Sequence, residues 1–400
     1  MNTEEIIYLD NAATTYPKPE TVYTEMDRVN RSLAFNAGRG SYALAKEADE
    51  IIAETREALL DLVHAKEEAE VVLSASATVA FNQIIGGMDW KESDVVYVSP
   101  YEHNAVVRPL DLWKERIGFT IIELPLEKES LKIDLEKMEY LFTEQPPTHI
   151  FLSQVSNVTG YILPIEEICK IAKKYEAVTV IDASQSLGLT ELDMRKVPAD
   201  IVAFAGHKNL YGPFGTGGFF LRHGIKLKVF LAGGTGSDSL NPKMPLESPA
   251  RYEAASPNIV AIAGLRAALM EIKAAGTANW LAHEQQLTDK LIAQLKRIPG
   301  VKLYGDFGQD KVGIVPFHIR GYQAAEVGML LDTDYGIAVR TGYHCAPLIH
   351  KHLKDEASGG VVRVGIGRYT TEKEIDTLVA AVGEPVSYTH LRAHETRHDL

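Results

Sequence analysis

Short apolar runs alternate with helix-like segments through the first two thirds of the chain. Five runs are apolar at successive positions and rich in β-branched residues: 70–74, 94–99, 148–153, 177–182 and 200–205. Such runs are typical of strands that are buried on both faces. Helical periodicity lies between several of them, as in 77–88 and 164–175. This alternation predicts a parallel, doubly wound α/β sheet with helices on its faces.

The pattern changes after a Gly-, Pro- and Ser-rich loop at 232–250. A long helical stretch from about Asn258 to Ile298 predicts the connection to a second region. That region has strands near 312–318 and 361–365, and helices near 322–332 and 371–382. We therefore predict a large domain over 15–257 and a smaller α/β domain over 258–385. The N-terminal strand fits either domain by its pattern, and we assign residues 1–14 to the smaller one.

The last segment differs from the rest of the chain. Residues 371–383 predict a final helix that ends at Gly383. The stretch SYTHLRAHETRHDL that follows has no clean period and resembles a translated sequencing adapter. We therefore predict that residues 386–400 are a non-native tail and exclude them from the fold.

Charge and cysteine content narrow the classes of function. A net charge of −13 disfavours non-specific binding to nucleic acid or to an anionic membrane surface. No apolar run approaches the ~18 residues of a membrane span, and the acidic start lacks the features of a signal peptide. Two cysteines form no disulfide framework, so we expect a cytoplasmic protein. We expect no metal site.

Polar residues follow five of the predicted strands. They are Thr78, His103, Asn157, Asp182 and Lys208. In an open α/β sheet, ligands bind beyond the carboxyl ends of the strands, so these side chains are candidates for one shared site. Each alone is more often a helix cap or a turn residue, and the signal lies in their occurrence together.

The set has a chemical logic. Burial lowers the pKa of a lysine, and the neutral amine of Lys208 could then form a Schiff base with an aldehyde. Asp182 could pair with a pyridinium nitrogen, and the helix start at Thr78 suits a phosphate. The glycines of 210–218 allow the backbone to pass close to a ligand or form a tight turn. These groups match pyridoxal phosphate.

Nine motifs extend the match across nearly the whole chain. In order they are YLDNAATTYPKP (8–19), SATVAFN (76–82), YEHNAVVRP (101–109), SNVTG (156–160), IDASQS (181–186), AGHKNLYGPFGTGG (205–218), RYEAASPN (251–258), RTGYHCAPL (340–348) and VVRVGIGRYTT (361–371). With them the chain resembles the class V aminotransferase family of fold-type-I pyridoxal-phosphate enzymes, and within it the cysteine desulfurases of the selenocysteine-lyase-like group. The GHK motif with the upstream DxxQ is specific, and the order of all nine is more so.

The resemblance implies roles for the residues around the cofactor ring. Lys208 matches the lysine that forms a Schiff base with pyridoxal phosphate, and Asp182 matches the partner of the pyridine nitrogen. Gln185 matches the donor to the ring hydroxyl oxygen. His103 matches the histidine that stacks on the ring, and it is a candidate proton donor or acceptor.

The resemblance also implies how phosphate and substrate are held. Thr78 and His207 match phosphate contacts. Ser256 matches a residue that reaches the phosphate of the neighbouring subunit, which implies a homodimer. Asn157 and Arg363 match the pair that binds the substrate carboxylate, for which the planar fork of an arginine is suited. Without the resemblance, the strand-like pattern around Arg363 would predict a surface charge on an edge strand.

The two cysteines differ in context. Cys345 lies in a Gly- and Pro-containing loop next to His344 and near Arg340, which favours exposure and reactivity. It matches the family's persulfide-forming cysteine. Cys169 shares a helical face with Ile165 and Ile168, so we predict that it is a core residue.

The resemblance implies a reaction. L-Cysteine would bind to the cofactor, Lys208 would move the α-proton, and Cys345 would attack the substrate sulfur to leave a persulfide and alanine. Lys208, Cys345 and His103 are then the catalytic residues, and a sulfur-acceptor protein is an expected partner. The alternatives are a selenocysteine lyase, another lyase, epimerase or aminotransferase in which Cys345 is incidental, and a pyridoxal-phosphate-binding regulator or scaffold without turnover.

Three positions depart from the family pattern. Ala205 and Ala77 stand where hydroxyl residues are usual in the family. The resemblance implies the loss of up to two phosphate hydrogen bonds, each worth about 0.5–1.5 kcal/mol, which water or backbone N–H groups could replace. Tyr343 replaces a histidine that is common before His-Cys. These departures concern cofactor affinity and specificity.

Overall fold

The computed structural model of the protein describes residues 6–37, 40, 42–236, 240–305 and 307–384. The predicted tail at 386–400 lies outside them. The strands are β1 (Ile7–Tyr8), β2 (Ala69–Ser74), β3 (Val95–Val98), β4 (Thr120–Glu123), β5 (His149–Ser153), β6 (Val178–Asp182), β7 (Ile201–Ala205), β8 (Gly217–Arg222), β9 (Val301–Leu303), β10 (Ile314–Ile319), β11 (Ile337–Ala338), β12 (Arg340–Gly342) and β13 (Val361–Gly365). The helices are α1 (Glu20–Ser32), α2 (Ala43–Leu62), α3 (Ala77–Gly87), α4 (Asn104–Ile117), α5 (Leu135–Glu144), α6 (Ile165–Lys173), α7 (Ile259–Ala275), α8 (Ala278–Leu295), α9 (Ala324–Tyr335), α10 (Pro347–Leu353) and α11 (372–384).

A seven-stranded sheet carries the larger part of the molecule. Its strand order is β2-β8-β7-β6-β5-β3-β4, and apolar side chains pack on both faces. The mainly parallel α/β class is confirmed. β8 is the exception, because it runs antiparallel to both β2 and β7. The connection from β7 to β8 contains no helix, so the chain cannot cross over and turns back beside β7.

Local sequence explains how the helices attach to this sheet. α6 buries Ile168, Cys169 and Ala172 on one face, while Glu166 and Lys170 form an ion pair on the other. Burial raises the pKa of the Cys169 thiol to about 12, as expected for an apolar core position. The prediction that Cys169 is a core residue is confirmed.

The smaller part of the molecule has an antiparallel sheet. Its strand order is β12-β13-β10-β9, and a separate parallel pair joins β1 to β11. The long helix predicted over 258–298 is two helices, because Gly276 ends α7 with a positive φ. α7 packs against α1 and α2, whereas α8 packs on β9 and β10. The domain division predicted at 257/258 stays a prediction.

The N-terminal segment lies between the two sheets. The backbone N–H of Gly365 donates to the Leu9 carbonyl at 2.7 Å, and the Asn11 side chain donates to the Gly365 carbonyl at 3.0 Å. A few residues later, the Thr15 N–H donates to the His207 carbonyl at 3.3 Å. The segment thus joins β13 to the loop after β7. None of the helices in the described ranges has the length and apolar character needed to cross a bilayer.

The contact at Gly365 predicts a stability effect. A Cβ at this position would lie 2.7 Å from the Ala12 nitrogen and 3.0 Å from the Asn11 nitrogen, both main-chain atoms. We expect Gly365→Ala to lower the free energy of unfolding by roughly 1–3 kcal/mol, measured by urea denaturation.

Gly383→Ala is the matched control. A Cβ at Gly383 meets nothing within 4 Å, and alanine is favoured over glycine in a helix. This variant should be as stable as the wild type or slightly more so. Equal stability of the Gly365→Ala variant and the wild type would show that the N-terminal segment is not held against β13.

Candidate active site

Lys208 lies in the loop that connects β7 to β8, at the carboxyl end of the sheet. Desolvation by the surrounding protein lowers its pKa to about 8, even though part of the side chain remains accessible. The negative charge of Asp182 opposes this shift, while the guanidinium groups of Arg363 and Arg340 add to it. A substantial fraction of Lys208 is therefore a neutral amine near pH 8, as the sequence predicts for a nucleophilic lysine.

Asp182 is the last residue of β6, the strand that pairs directly with β7. Its Oδ1 accepts the backbone N–H of Ser184 at 2.9 Å, which fixes the carboxylate at the turn after the strand. Gln185 follows in the same turn, and its side-chain amide donates to the Ala12 carbonyl at 2.7 Å. One N–H of Gln185 is thus already engaged by the N-terminal segment, and the second remains for a ligand.

His103 is the residue that precedes α4. Its Nδ1 accepts the backbone N–H of Ala105 at 3.0 Å, so the proton of the neutral ring sits on Nε2. Burial and the positive charge of Lys208 lower the pKa of His103 to about 3. The ring is therefore neutral at physiological pH and can offer an apolar face together with an Nε2–H donor.

The start of α3 provides a place for an anion. Ser76 caps this helix by accepting the N–H of Val79 at 3.2 Å, and Thr78 lies exposed in the first turn. Backbone N–H groups of a first turn have no carbonyl partner within the helix, and they attract negative charge. A Cβ at Gly217 would lie 2.7 Å from the Ser76 main chain, so glycine lets the start of β8 approach this turn.

His207 contributes an unsatisfied polar atom. Its Nδ1 is buried without a hydrogen-bond partner, and the ring stacks on Phe214 with centroids 4.7 Å apart. Burial, together with the charges of Lys208 and Lys18, lowers the pKa of His207 to about 4. Buried polar atoms normally have partners, so an orphaned ring nitrogen here fits a bound ligand.

Arg363 is fully buried in β13. Its Nη2 forms an ion pair with Asp10 at 2.5 Å, and its Nη1 donates to the Asn157 carbonyl at 2.9 Å. The predicted pair of Asn157 and Arg363 is therefore brought together. The arginine reaches this site as a buried group of a central strand in the small sheet, not as an edge-strand surface charge.

Cys345 faces the same site from the loop after β12. The Nη2 of Arg340 donates to its Sγ at 3.2 Å, and such a contact stabilises negative charge on sulfur. The thiol is partly exposed, unlike that of Cys169. The charge of Cys345 acts on Lys208, which places the thiol and the amine in one electrostatic environment.

Ser256 lies at the edge of the anion site. It lies exposed on the loop before α7 and lines a cavity of about 410 Å³ together with Ala75, Val79 and Gly217. No contact between Ser256 and Lys208 or His207 is present among the described residues. Ser256 and Thr78 are thus both exposed beside the start of α3.

Several site residues were not predicted from the sequence. Asp10 could not be found, because nothing in its segment indicates an arginine partner 353 positions later. Lys18 donates to the His207 carbonyl at 2.7 Å, and burial lowers its pKa to about 7. Ser76 does have a signal, because serine before a helical pattern favours a cap.

The arrangement combines a nucleophilic amine, a carboxylate, a neutral imidazole, an anion site and a thiol. Within the described ranges, no group of His, Cys, Asp or Glu side chains is arranged to hold a metal ion. The site is therefore suited to covalent chemistry with a phosphorylated aldehyde and a carboxylate-bearing substrate.

Known proteins are similar to this chain in both sequence and fold. The chain is 32% identical over 376 residues to a probable cysteine desulfurase from Methanothermobacter thermautotrophicus, which covers 93% of this chain and 92% of that protein. It is 29% identical over 390 residues to a cysteine desulfurase from Shigella sonnei, which covers 96% and 94% respectively. The solved structure of the cysteine desulfurase from Thermococcus onnurineus superposes with a TM-score of 0.88 at 30% identity, and 96% of each chain is covered.

The family model for class-V aminotransferases matches residues 7–378. This span contains both sheets and every residue assigned to the candidate site. The match confirms the family that the nine motifs indicated, and the chain belongs to the class-V aminotransferases.

Proposed function

We propose that the protein is a pyridoxal-phosphate-dependent cysteine desulfurase, which converts L-cysteine to L-alanine and carries the sulfur as a persulfide on Cys345. The observation that carries the proposal is the position of the Cys345 thiol. It contacts Arg340 at 3.2 Å and shares the electrostatic environment of Lys208. Two relatives bear the name cysteine desulfurase, which supports the same conclusion.

The residues present fit pyridoxal phosphate. Lys208 would bind its aldehyde carbon, Asp182 its ring nitrogen and Gln185 its ring hydroxyl. His103 would lie on the ring face, and Thr78 and His207 would bind the phosphate at the start of α3. The orphaned Nδ1 of His207 and the glycine approach at Gly217 support this fit. When bound, the cofactor supplies an electron sink for the pair left on the substrate carbon.

Substrate binding follows from the buried arginine. Asn157 and Arg363 would bind the carboxylate of L-cysteine, which places its α-carbon near Lys208. The amine of Lys208, with its pKa of about 8, can accept the α-proton and later return a proton to the product. The neutral ring of His103 keeps an Nε2–H that can be donated to a developing anion.

The sulfur step balances without an outside oxidant. The Cys345 thiolate attacks the sulfur of the substrate, and an S–S bond forms as the C–S bond breaks. The electron pair of the C–S bond stays with carbon, which is protonated to give alanine. Arg340 would hold the negative charge on Cys345 before the attack. Because Cys345 is partly exposed, the thiol of an acceptor protein could then take the outer sulfur. A free reactive thiol also fits the expected reducing cytoplasm.

Removal of the Cys345 thiol tests the proposal directly. With L-cysteine and a thiol reductant, the wild type should release alanine and sulfide in equal amounts. We expect Cys345→Ala to release neither above a protein-free control while it keeps the cofactor absorbance. Cys169→Ala is the matched control and should retain turnover, because Cys169 is buried in the core.

Other outcomes assign a different activity. Turnover of cysteine that survives in Cys345→Ala would make the cysteine incidental and the protein another class of family enzyme. Activity with selenocysteine but not with cysteine would indicate a selenocysteine lyase. A cofactor-loaded wild type that acts on no amino acid would indicate a binding protein.

The lowered pKa of Lys208 predicts how cofactor loading depends on pH. Only the neutral amine attacks an aldehyde, so the rate of incorporation into cofactor-free protein should rise through a midpoint of about 8. The rate is followed by absorbance, and free N-acetyl-lysine is titrated in parallel as the reference, whose midpoint should stay near the ordinary lysine value of 10.5. Asp182→Asn should lower the midpoint, because the charge of Asp182 raises the pKa of Lys208. A midpoint near the ordinary lysine value of 10.5 would contradict the proposed environment.

We also propose a homodimer in which Ser256 reaches the phosphate site of the second copy. Ser256 is exposed and makes no contact with Lys208 among the described residues, which fits a residue that acts in the partner. Large apolar side chains between 214 and 246 are exposed as well, namely Phe214 at 66%, Leu240 at 99% and Leu246 at 79%. Exposed apolar groups of this size are typical of an interface.

Light scattering after size exclusion measures this assembly. The wild type should have twice the mass of one chain. Changing Leu240 and Leu246 together to Glu should shift it towards the monomer, because charge is costly at an apolar interface. Met329→Glu is the control, since Met329 is 60% exposed on α9 in the smaller part of the molecule. A wild type with the mass of one chain would refute the dimer.

A further inference from the structure

Three successive carbonyl groups hold the loop that carries Cys345. The Cys345 carbonyl accepts the Asn104 N–H at 2.6 Å, and the His344 carbonyl accepts the Asn157 side-chain N–H at 2.7 Å. The Tyr343 carbonyl lies 2.9 Å from Nε2 of His350, and it also accepts the backbone N–H of Ala346 at 3.1 Å within the turn. Each donor comes from a different part of the chain, so the loop is fixed from three sides.

The loop needs these contacts because its backbone is unfavourable. His344 has a φ of 47° and Cys345 a φ of 58°, so two consecutive residues with a Cβ are left-handed. This conformation is costly for residues other than glycine and persists only where the surroundings determine it. Loss of one anchoring bond would allow the loop to relax and would move Sγ of Cys345.

His350 is oriented by a buried carboxylate. Its Nδ1 lies 2.6 Å from Oδ2 of Asp355, and the two residues are 3% and 1% exposed. A carbonyl cannot donate, so Nε2 must carry the proton that faces Tyr343. The contact between Nδ1 and Asp355 holds the other side of the ring. Both ring nitrogens are thus engaged, and the ring cannot turn away from the Tyr343 carbonyl without breaking two bonds.

The turn that holds Asp355 is itself fixed. The Asp355 carbonyl accepts the backbone N–H groups of Ser358 and Gly360, at 3.1 and 3.0 Å, and the Ser358 hydroxyl at 2.8 Å. The carboxylate therefore stands on a rigid turn after α10, while Gly360 leads directly into β13. The turn that positions His350 is therefore followed at once by β13, the strand that contains Arg363.

We infer that His350, held by Asp355, is a positioning residue for Cys345. By fixing the Tyr343 carbonyl it maintains the turn that aims Sγ at the substrate sulfur. This inference rests on the proposed function. His350 differs from Asn104 and Asn157, because it approaches the loop from α10 and shows no contact with Lys208, His103 or Asp182 among the described residues. Its loss should impair sulfur transfer and spare the proton chemistry of Lys208.

The test compares three variants of the cofactor-loaded enzyme. His350→Leu removes the donor but keeps an apolar side chain. His350→Gln retains an N–H that can reach the Tyr343 carbonyl, and Asp355→Asn removes only the carboxylate charge. His352→Leu, the same substitution on the same helix, is the matched control.

Three measurements separate the two steps. The first is kcat and KM for alanine formation from L-cysteine. The second is the rate at which iodoacetamide alkylates Cys345, with Cys169 replaced by Ala in every protein. The third is exchange of the α-proton of L-alanine in heavy water, which requires Lys208 and does not require Cys345.

We expect His350→Leu to lower kcat roughly ten- to a hundred-fold, since a small misplacement of a reacting group has effects of this size. The alkylation rate should change as well, while KM and α-proton exchange should not. His350→Gln should recover most of kcat. The kcat of Asp355→Asn should lie between those of His350→Leu and His350→Gln. His352→Leu should match the wild type. If His350→Leu does not fold, the comparison of Asp355→Asn with His350→Gln carries the same test.

Two results would overturn the inference. One is a parallel loss of α-proton exchange and kcat in the His350 and Asp355 variants, which would indicate general damage to the site. The other is unchanged kcat and alkylation in all of them. If the wild type makes no alanine from cysteine, the proposed function fails, but alkylation and exchange still decide whether His350 positions Cys345.

Discussion

A buried positive charge determines how the candidate site is assembled. Arg363 is fully buried, and a guanidinium in such a place is tolerated only with an anionic partner and further acceptors. Asp10 and the Asn157 carbonyl meet this requirement, and they come from the N-terminal segment and the loop after β5. The ion pair therefore brings three distant parts of the chain to one point. The adjacent main-chain bonds between Leu9, Asn11 and Gly365 hold the same segment in register.

The electrostatics of the site follow from this arrangement. Lys208 lies among Arg363, Arg340 and Asp182, and their charges together with desolvation set a pKa of about 8. The same cations help to keep His103 neutral. A region with two guanidinium groups and a partly neutral lysine attracts anionic groups. The lowered pKa values of Lys208 and His103 thus have a common physical origin.

Sequence patterns predicted those parts of the molecule that depend on local residues. The buried strands of the large sheet were predicted from continuous apolar runs. The burial of Cys169 was predicted from its place on the apolar face of a helix. β4 was missed because four residues at the sheet edge give a weak signal, and the direction of β8 is set by the loop that holds Lys208. The predicted long helix overlooked the stop at Gly276. Asp10 acts through a contact with Arg363, 353 positions later, which no local pattern contains. His350 and Asp355 are only five positions apart, but no periodic pattern marks them as a pair.

The pairing of Asp10 with Arg363 has a consequence for the order in which the enzyme matures. During synthesis, the strands up to β8 emerge first and can form the large sheet together with Lys208 and Asp182. Asp10 has already left the ribosome, but its arginine follows only 353 residues later. A nascent chain can therefore contain every strand of the large sheet before the partner of Asp10 has been made. The ion pair that joins the N-terminal segment to the small sheet is thus among the last contacts of the fold to form, because β13 must be made first.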